Sequence, residues 1–275
     1  MDGLTALPDN CICTILSKTS RRDACKCSAI SKPIKKLADS DDVWSVFLPS
    51  DYQEIILRCA TPVVYSCLKQ LYLSLSDSPI LLEGENMSFF LEKESGKKCV
   101  MLGARSLRIV WGDHPEYWEW MSLSHSRFPE VARLRIVCWL EITGRVDTQL
   151  LSPNTTYAAY LVYNLESTSY GLESLPIKGW IRFAGESGDD RDEIDPNTVY
   201  LKLGSSEPAQ MPGTVFLPRK RKDGWLEIEL GEIFNDQEIE REVEMRFLGS
   251  DGLYGKSGLV VEGFELRPKG NPQVN

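Results

Sequence analysis

The stretch Arg133-Leu-Arg-Ile-Val-Cys-Trp-Leu-Glu-Ile-Thr-Gly144 reads with a period of two. Leu134, Ile136, Cys138, Leu140 and Ile142 point one way, and Arg133, Arg135, Glu141 and Thr143 the other. Successive side chains of a strand leave opposite faces, so this alternation predicts a strand with one buried and one wet face. The same pattern recurs downstream, where Leu226, Ile228 and Leu230 alternate with Trp225, Glu227 and Glu229, and Val243, Met245 and Phe247 with Glu242, Glu244 and Arg246. Tyr157 to Leu165 is apolar on both faces, which predicts a central strand. Upstream, Ser88 to Leu91 and Lys98 to Leu102 flank a turn at Gly96; Trp180 to Phe183, Val199 to Leu203 and Leu259 to Leu266 complete the set. Short strands parted by Gly, Pro and Asn turns, with no helices between them, predict an antiparallel β-sandwich or jelly roll. Gly185 to Asp195, with six acids and one Arg, reads as a loop.

Before about residue 75 the period is that of helices. Cys11, Ile12, Ile15 and Leu16 recur at three- and four-residue spacing, with Pro8 placed where a first helical turn tolerates it. Thr19 and Ser20 can cap a second helix carrying Ala24, Cys25, Ser28 and Ala29, and Pro33 marks a break. Asp39 to Asp42 supply caps and first-turn acids before Val43, Trp44, Phe47 and Leu48. A further helix is predicted from about Val63 to Leu75, carrying Val64, Cys67, Leu68 and Leu71. The fold class expected is therefore α+β and multidomain: short helices over 1–50, a helical linker region over 51–87, and the sandwich over 88–275.

Composition narrows the function classes. Over 275 residues, 31 Lys and Arg against 40 Asp and Glu give a net charge of −9, which argues against direct nucleic-acid binding. No apolar run is long enough to span a membrane. The residues MDGLTALPDN lack a secretory pattern, so the eight cysteines are expected to be reduced thiols in a cytoplasmic or nuclear protein, and Asn86 and Asn154 to carry no glycan. Cys11, Cys13, Cys25 and Cys27 form C-x-C pairs inside helical patterns rather than zinc knuckles, so no metal is expected. Gly252-x-x-Gly255-x-x-Gly258 is not followed by a strand–turn–helix, Gly96-Lys97-Lys98 lacks the rest of a phosphate loop, and His114 and His125 lie in no catalytic motif. Glu227, Glu229, Glu242 and Glu244 could pair as glycosidase acids, but their alternation is that of a solvent face; a non-catalytic protein without cofactor is expected. Two features stay open. Trp111, Tyr117, Trp118 and Trp120 crowd a segment broken by Gly112 and Pro115, which suits either a ligand site or core packing. Arg219-Lys220-Arg221-Lys222 suits either an import patch or a basic hairpin loop.

Two families are resembled. Leu7-Pro8, Ile15-Leu16-Ser17, the small-residue helix Asp23 to Ser31 and the pair Val43-Trp44 are similar in kind and spacing to an F-box, with Pro33 as a departure that would shorten the second helix. The resemblance implies docking onto a Skp-type adaptor and thereby a cullin ubiquitin ligase, with Leu7, Pro8, Ile15, Leu16, Val43 and Trp44 as anchors. The remainder resembles the phloem lectins of the Nictaba type. The matching motifs are Ser88-Phe-Phe-Leu-Glu-Lys93 with Ser95-Gly-Lys-Lys-Cys99, Arg105-x-Leu-x-Ile-x-Trp111, Tyr117-Trp118-x-Trp120 and Trp139-Leu-Glu-Ile142. Asp223-Gly-Trp-Leu-Glu-Ile228, Glu242-Val-Glu-Met-Arg246 and Ser257-Gly-Leu-Val-Val-Glu-Gly-Phe264 follow in the family order. This implies a jelly-roll-like lectin domain that binds N-acetylglucosamine-containing glycans, with Trp111 and Trp118 contacting sugar and Glu242 accepting hydroxyls. A further acidic contact of the family falls near Gly249 and is missing. Together the resemblances imply the substrate-recognition subunit of a ubiquitin ligase, its partners the adaptor, the cullin ligase and a glycoprotein substrate. The alternative is the same subunit with a sandwich that reads a protein surface and binds no sugar. The lectin reading requires Trp111 and Trp118 to be partly exposed on one side, with Gly112–Pro115 turning the chain back.

Overall fold

The computed structural model describes residues 7–82, 84–172, 177–185, 197–201, 215–236, 240–250 and 254–270. The acidic stretch after Gly185, together with Lys202, Leu203 and Gly252, lies outside the described residues. Two compact units emerge: Met1–Glu83 with Phe89–Lys98, and Gly84–Ser88 with Cys99–Asn275.

The first unit carries helices α1 (Asp9–Ser17), α2 (Arg21–Cys27), α3 (Lys32–Ala38), α4 (Asp41–Phe47), α5 (Tyr52–Leu57) and α6 (Leu68–Asp77). The Ser20 hydroxyl accepts from the Asp23 N–H and so caps α2. Pro33 does more than break the chain: it sits in the first turn of α3, behind the N-cap Ser31, where a missing N–H costs nothing. The predicted start of the last helix is corrected as well. Cys67 is extended and α6 begins at Leu68, which leaves Val64 exposed before it. Ile12 and Leu16 of α1, Ile34 of α3, Val43 and Trp44 of α4 and Leu71 of α6 form the buried core. Trp44 is pinned in it by an indole N–H bond to the Ala38 carbonyl at 2.8 Å and by edge contact with Phe47.

The strands are β1 (Ile80–Leu81), β2 (Met87–Leu91), β3 (Lys98–Gly103), β4 (Arg108–Ile109), β5 (Trp118–Met121), β6 (Val131–Leu134), β7 (Leu140–Asp147) and β8 (Thr155–Tyr170). They continue as β9 (Ile177–Phe183), β10 (Asn197–Val199), β11 (Val215–Phe216), β12 (Arg219–Lys220), β13 (Leu226–Asn235), β14 (Glu242–Gly249) and β15 (Ser257–Pro268). In the second unit one sheet runs β3-β15-β8-β13-β12, with the β5–β6 hairpin laid against β15. The other runs β11-β10-β9-β14-β7-β4. The pairings are antiparallel except for β10 with β11. β8, the strand apolar on both faces, is central as its sequence predicts.

The inner faces of the sheets meet at close range. A Cβ added to Gly144 of β7 would lie 2.8 Å from the Phe264 ring of β15 and 2.9 Å from Leu107, so only glycine lets the layers approach there. Leu140, Ile142 and Val146 of β7, with Val243, Met245 and Phe247 of β14, point into the same core. Burying them is worth about 1.5–3 kcal/mol each.

The stretch Arg133 to Gly144 is not one strand. It ends β6, crosses between the sheets, and starts β7. Within the crossing Val137 is buried while Ile136 and Cys138 are exposed, the reverse of the alternation. The Arg135 N–H bonds the Tyr117 carbonyl, and Val137 bridges to Lys256, which holds the crossing in place and shifts the parity. The expected solvent face of β13 and β14 is corrected too. Glu227, Glu229 and Glu244 are buried in ion pairs with Arg221, Arg267, Lys269, Arg145 and Arg182.

Glu262 of β15 is buried with a different balance. Its carboxylate accepts from the Arg127 N–H at 2.7 Å and from the Ser126 hydroxyl at 3.1 Å. Burial pushes its carboxyl above the usual range, and these bonds offset only part of that. At neutral pH the ionised form is therefore a net burden on the fold. Glu262→Gln keeps an acceptor oxygen and removes the charge, so its Tm at pH 7 is expected to equal or exceed the parent's. The difference should close as pH falls through the raised value. A drop of more than about 4 °C at pH 7, on the order of 1 kcal/mol or more at this size, would show that the charge stabilises instead.

Candidate functional site

In the helical unit the six predicted anchors divide. Leu7, Pro8 and Ile15 are exposed, Ile15 at 44%, while Leu16, Val43 and Trp44 are buried. The structure thus places the first three on an outward surface and the last three in the core that shapes it. Val46 of α4 is also exposed, a position that the sequence reading passed over. Its signal was available: Val43, Trp44 and Phe47 define the inward face, and Val46 falls off it.

In the sandwich, the chain does turn back after β4. Gly112 N–H bonds the Ile109 carbonyl, His114 N–H the Trp111 carbonyl, and Trp118 N–H the His114 carbonyl. Trp111 takes a left-handed backbone conformation at φ 59° to make this turn. Its ring is 42% exposed and lies 5.5 Å from Tyr117. Trp118 goes the other way. It is 2% exposed, and its indole N–H bonds the Val110 carbonyl at 3.2 Å. The expected exposure of Trp118 is therefore corrected: both of its faces are packed, and the two rings do not flank one open site. Trp120 is held by its N–H bond to the Gly112 carbonyl and by the Arg105 guanidinium 3.7 Å over its ring.

A second exposed indole stands where the sequence reading assigned none. The Val110 N–H bonds the Glu141 carbonyl, which carries Trp111 alongside the start of β7. There Trp139 is 38% exposed, and its N–H donates to the Glu141 carboxylate at 2.9 Å. Leu140 and Ile142 point inward, so period two sends Trp139 and Glu141 outward together. The other oxygen of Glu141 accepts from Arg246 at 2.5 Å. Glu141 thus supplies the carboxylate at this end of the sheet, while Gly249, paired with Leu140, faces inward.

Glu242 lies far from the indoles. It pairs with Asp147, whereas Leu248 pairs with Glu141. Glu242 and Leu248 stand six positions apart along the strand, about 20 Å at ~3.4 Å per residue. Glu242 is exposed, with Arg145 3.7 Å away, and cannot share one monosaccharide with Trp111.

Between these ends the outer face of the β4-β7-β14-β9 sheet forms a groove of about 550 Å³. Register aligns its floor in rows. Arg108, Thr143, Arg246 and Trp180 stand side by side across the four strands, and Arg145, Glu244 and Arg182 form the next row. Glu244 is buried, with Arg145 donating at 3.0 and 2.7 Å to one oxygen and Arg182 at 3.2 and 2.8 Å to the other. Burial pushes its carboxyl up, but the two guanidiniums outweigh that and hold it below its ordinary value.

Other predicted features are placed as follows. Cys11 is exposed, Cys13 buried, and Cys25 and Cys27 half-buried. Among the described residues no three His, Cys, Asp or Glu side chains gather to hold a metal ion, and no helix is long and apolar enough to cross a membrane. The basic tetrad is divided: Arg219, Lys220 and Lys222 are exposed, but Arg221 is folded inward onto Asp223, Glu227 and Glu265.

Two families of known proteins match the chain, one over the helical region and one over the sandwich. The F-box domain family matches residues 4–46, and the phloem protein 2 family matches residues 97–268. The chain is 41% identical to F-box protein PP2-B10 of Arabidopsis thaliana, over 96% of this chain and 93% of that one. It is 46% identical to Putative F-box protein PP2-B12 of the same plant, covering 96% and 97%. With F-box protein PP2-B15 the identity is 36%, covering 96% of each. The chain belongs to the phloem protein 2 family, among its members that carry an F-box, and has the role of a substrate-recognition F-box protein.

Proposed function

We propose that the helical unit docks a Skp-type adaptor of a cullin ubiquitin ligase, and that the sandwich selects the substrate by binding N-acetylglucosamine-containing glycans. The chain is a non-catalytic subunit in this reading and acts in the cytoplasm or nucleus. Support for the sugar comes from one arrangement above all: Trp139, exposed and bonded to the Glu141 carboxylate, and the exposed Trp111, whose neighbour Val110 bonds the Glu141 carbonyl. Sugar rings offer C–H faces that stack on indole, and their hydroxyls bond carboxylates. Trp118 contributes by holding the Val110 carbonyl, and so the Trp111 turn, rather than by touching ligand.

Each stacked ring should contribute on the order of 1–2 kcal/mol. Trp111→Ala and Trp139→Ala are each expected to weaken binding of an N-acetylglucosamine oligomer roughly tenfold with an unchanged thermal melt. Trp118→Ala is expected to lower the melt. Titration of the full chain by calorimetry checks this. If the wild type binds no oligomer, or binds as well without either exposed indole, the sugar reading fails. Trp118 being packed favours the second reading, in which the same sandwich recognises a polypeptide.

A further inference from the structure

The groove floor carries more positive charge than its own ion pairs consume. Arg108, Arg145, Arg182 and Arg246 line it, against the carboxylates of Glu141 and Glu244, in a chain whose net charge is −9. Beyond its end Glu242 also pairs with Arg145 at 3.7 Å, so one positive charge remains over the floor. Arg108 is exposed and makes no ion pair among the described residues. The Nε of Arg246 is buried without a hydrogen-bond partner, although its Nη2 holds Glu141. Arg145 and Arg182 are fixed by Glu244, each through Nε and Nη2. That holds their planes before any ligand arrives, with the Nη1 of Arg145 also 3.7 Å from Glu242.

Four guanidiniums in two rows, three of them held by carboxylates, suit a ligand that brings paired oxygens at intervals along a chain. The strands lie ~4.8 Å apart, so the groove spans about 14 Å from β4 to β9, and its two rows are about 7 Å apart. Alternate side chains of an extended peptide are separated by about the same 7 Å. We infer that this groove is a docking site for an acidic polypeptide segment, whose carboxylates or phosphates sit between Arg108 and Arg246 and beside Arg145. The inference rests on the substrate-receptor reading but not on sugar binding, since neither Trp111 nor Trp139 is among the residues that line the groove. Carboxylate and phosphomonoester present the same paired oxygens, and the test separates them.

The full-length protein is titrated by fluorescence anisotropy at low salt with four peptides of one length. One is rich in Asp and Glu, one carries phosphoserines at the same positions, one has Asn and Gln there, and one is basic. The expected result is saturable binding of the acidic peptide, the phosphopeptide or both, at least tenfold tighter than the neutral peptide. Raising salt should weaken it. Arg108→Glu, at an exposed and unpaired position, should weaken it tenfold or more without changing the thermal melt, and Arg108→Lys should restore part of it. N-acetylglucosamine oligomer binding serves as the control arm: Arg108→Glu should leave it within about twofold, so that loss of peptide binding and failure of the sugar reading are separately visible. Equal binding of acidic and neutral peptides, an Arg108→Glu protein that binds the acidic peptide as well as wild type, or equally tight binding of a generic polyanion such as polyphosphate would overturn the assignment.

Discussion

Trp44→Ala is expected to cost about 3–5 kcal/mol and to unfold the helical unit, whereas Ile15→Glu is expected to abolish adaptor capture with that unit intact. Both residues belong to one motif in the sequence, and the structure separates them. Trp44 is fully buried, bonded to the Ala38 carbonyl, edge-on to Phe47, and 5.3 Å from Tyr72 of α6. The Lys69 ammonium lies over its ring at 5.5 Å. Removing the ring leaves a cavity against α6 and frees the end of α3, in a unit whose whole stability is that of a small domain. Ile15 contributes little to that core because it faces solvent. A charge there costs the fold almost nothing but places a carboxylate in any apolar interface that covers α1. Hydrogen exchange over residues 9–77 of the full chain, measured beside capture of a Skp-type adaptor, distinguishes the two. Loss of amide protection with Ile15→Glu, or adaptor capture unaffected by it, would move the docking surface elsewhere.

Sequence periodicity reports faces well and partners poorly, and the particulars here follow from that. The alternation of Val243, Met245 and Phe247 located an inner face because only local geometry was needed. In Arg133 to Gly144 the same reasoning failed: the chain leaves one sheet and joins the other, and a crossing residue such as Val137 answers to Lys256 rather than to its neighbours. Tyr117, Trp118 and Trp120 could each have faced outward. The choice was made by the Val110 and Gly112 carbonyls, which took the two indole N–H groups. Trp139 and Glu141 were legible, since Leu140 and Ile142 fixed the parity. The groove was not. Its rows join Arg108, Thr143, Arg246 and Trp180, residues from four separate strands, and no local pattern shows which strands are neighbours or in what register. Acids read as a solvent face, Glu227 and Glu244 among them, proved to be the buried counterparts of arginines brought from elsewhere in the chain.

Arg221→Ala is expected to destabilise the sandwich by about 3–5 kcal/mol, because it leaves a buried carboxylate short of its nearest counter-charge. Glu265 of β15 is fully buried, with Arg221 at 2.6 Å, Arg127 at 3.1 Å and Arg267 at 3.4 Å. Burial pushes its carboxyl up, and the guanidiniums more than reverse this, so the folded protein holds it below its ordinary value. A group depressed in that way contributes stability above its unfolded value, and the contribution is lost as pH falls through the folded one. Without Arg221 the balance tips toward burial, the carboxyl rises, and the variant's deficit is greatest at neutral pH. The gap between wild type and Arg221→Ala should therefore narrow as pH falls below the ordinary carboxylate value, while Arg221→Ala/Glu265→Leu should recover much of the loss at pH 7. Urea unfolding at several pH values, followed by tryptophan emission, to which the buried Trp225 beside this cluster contributes, reads both effects. A deficit independent of pH would mean that Arg221 acts through packing of its stem rather than through Glu265. The same inward fold of Arg221 leaves only three cations of the Arg219–Lys222 tetrad facing solvent, so a receptor that must grip all four has to unmake this ion cluster first.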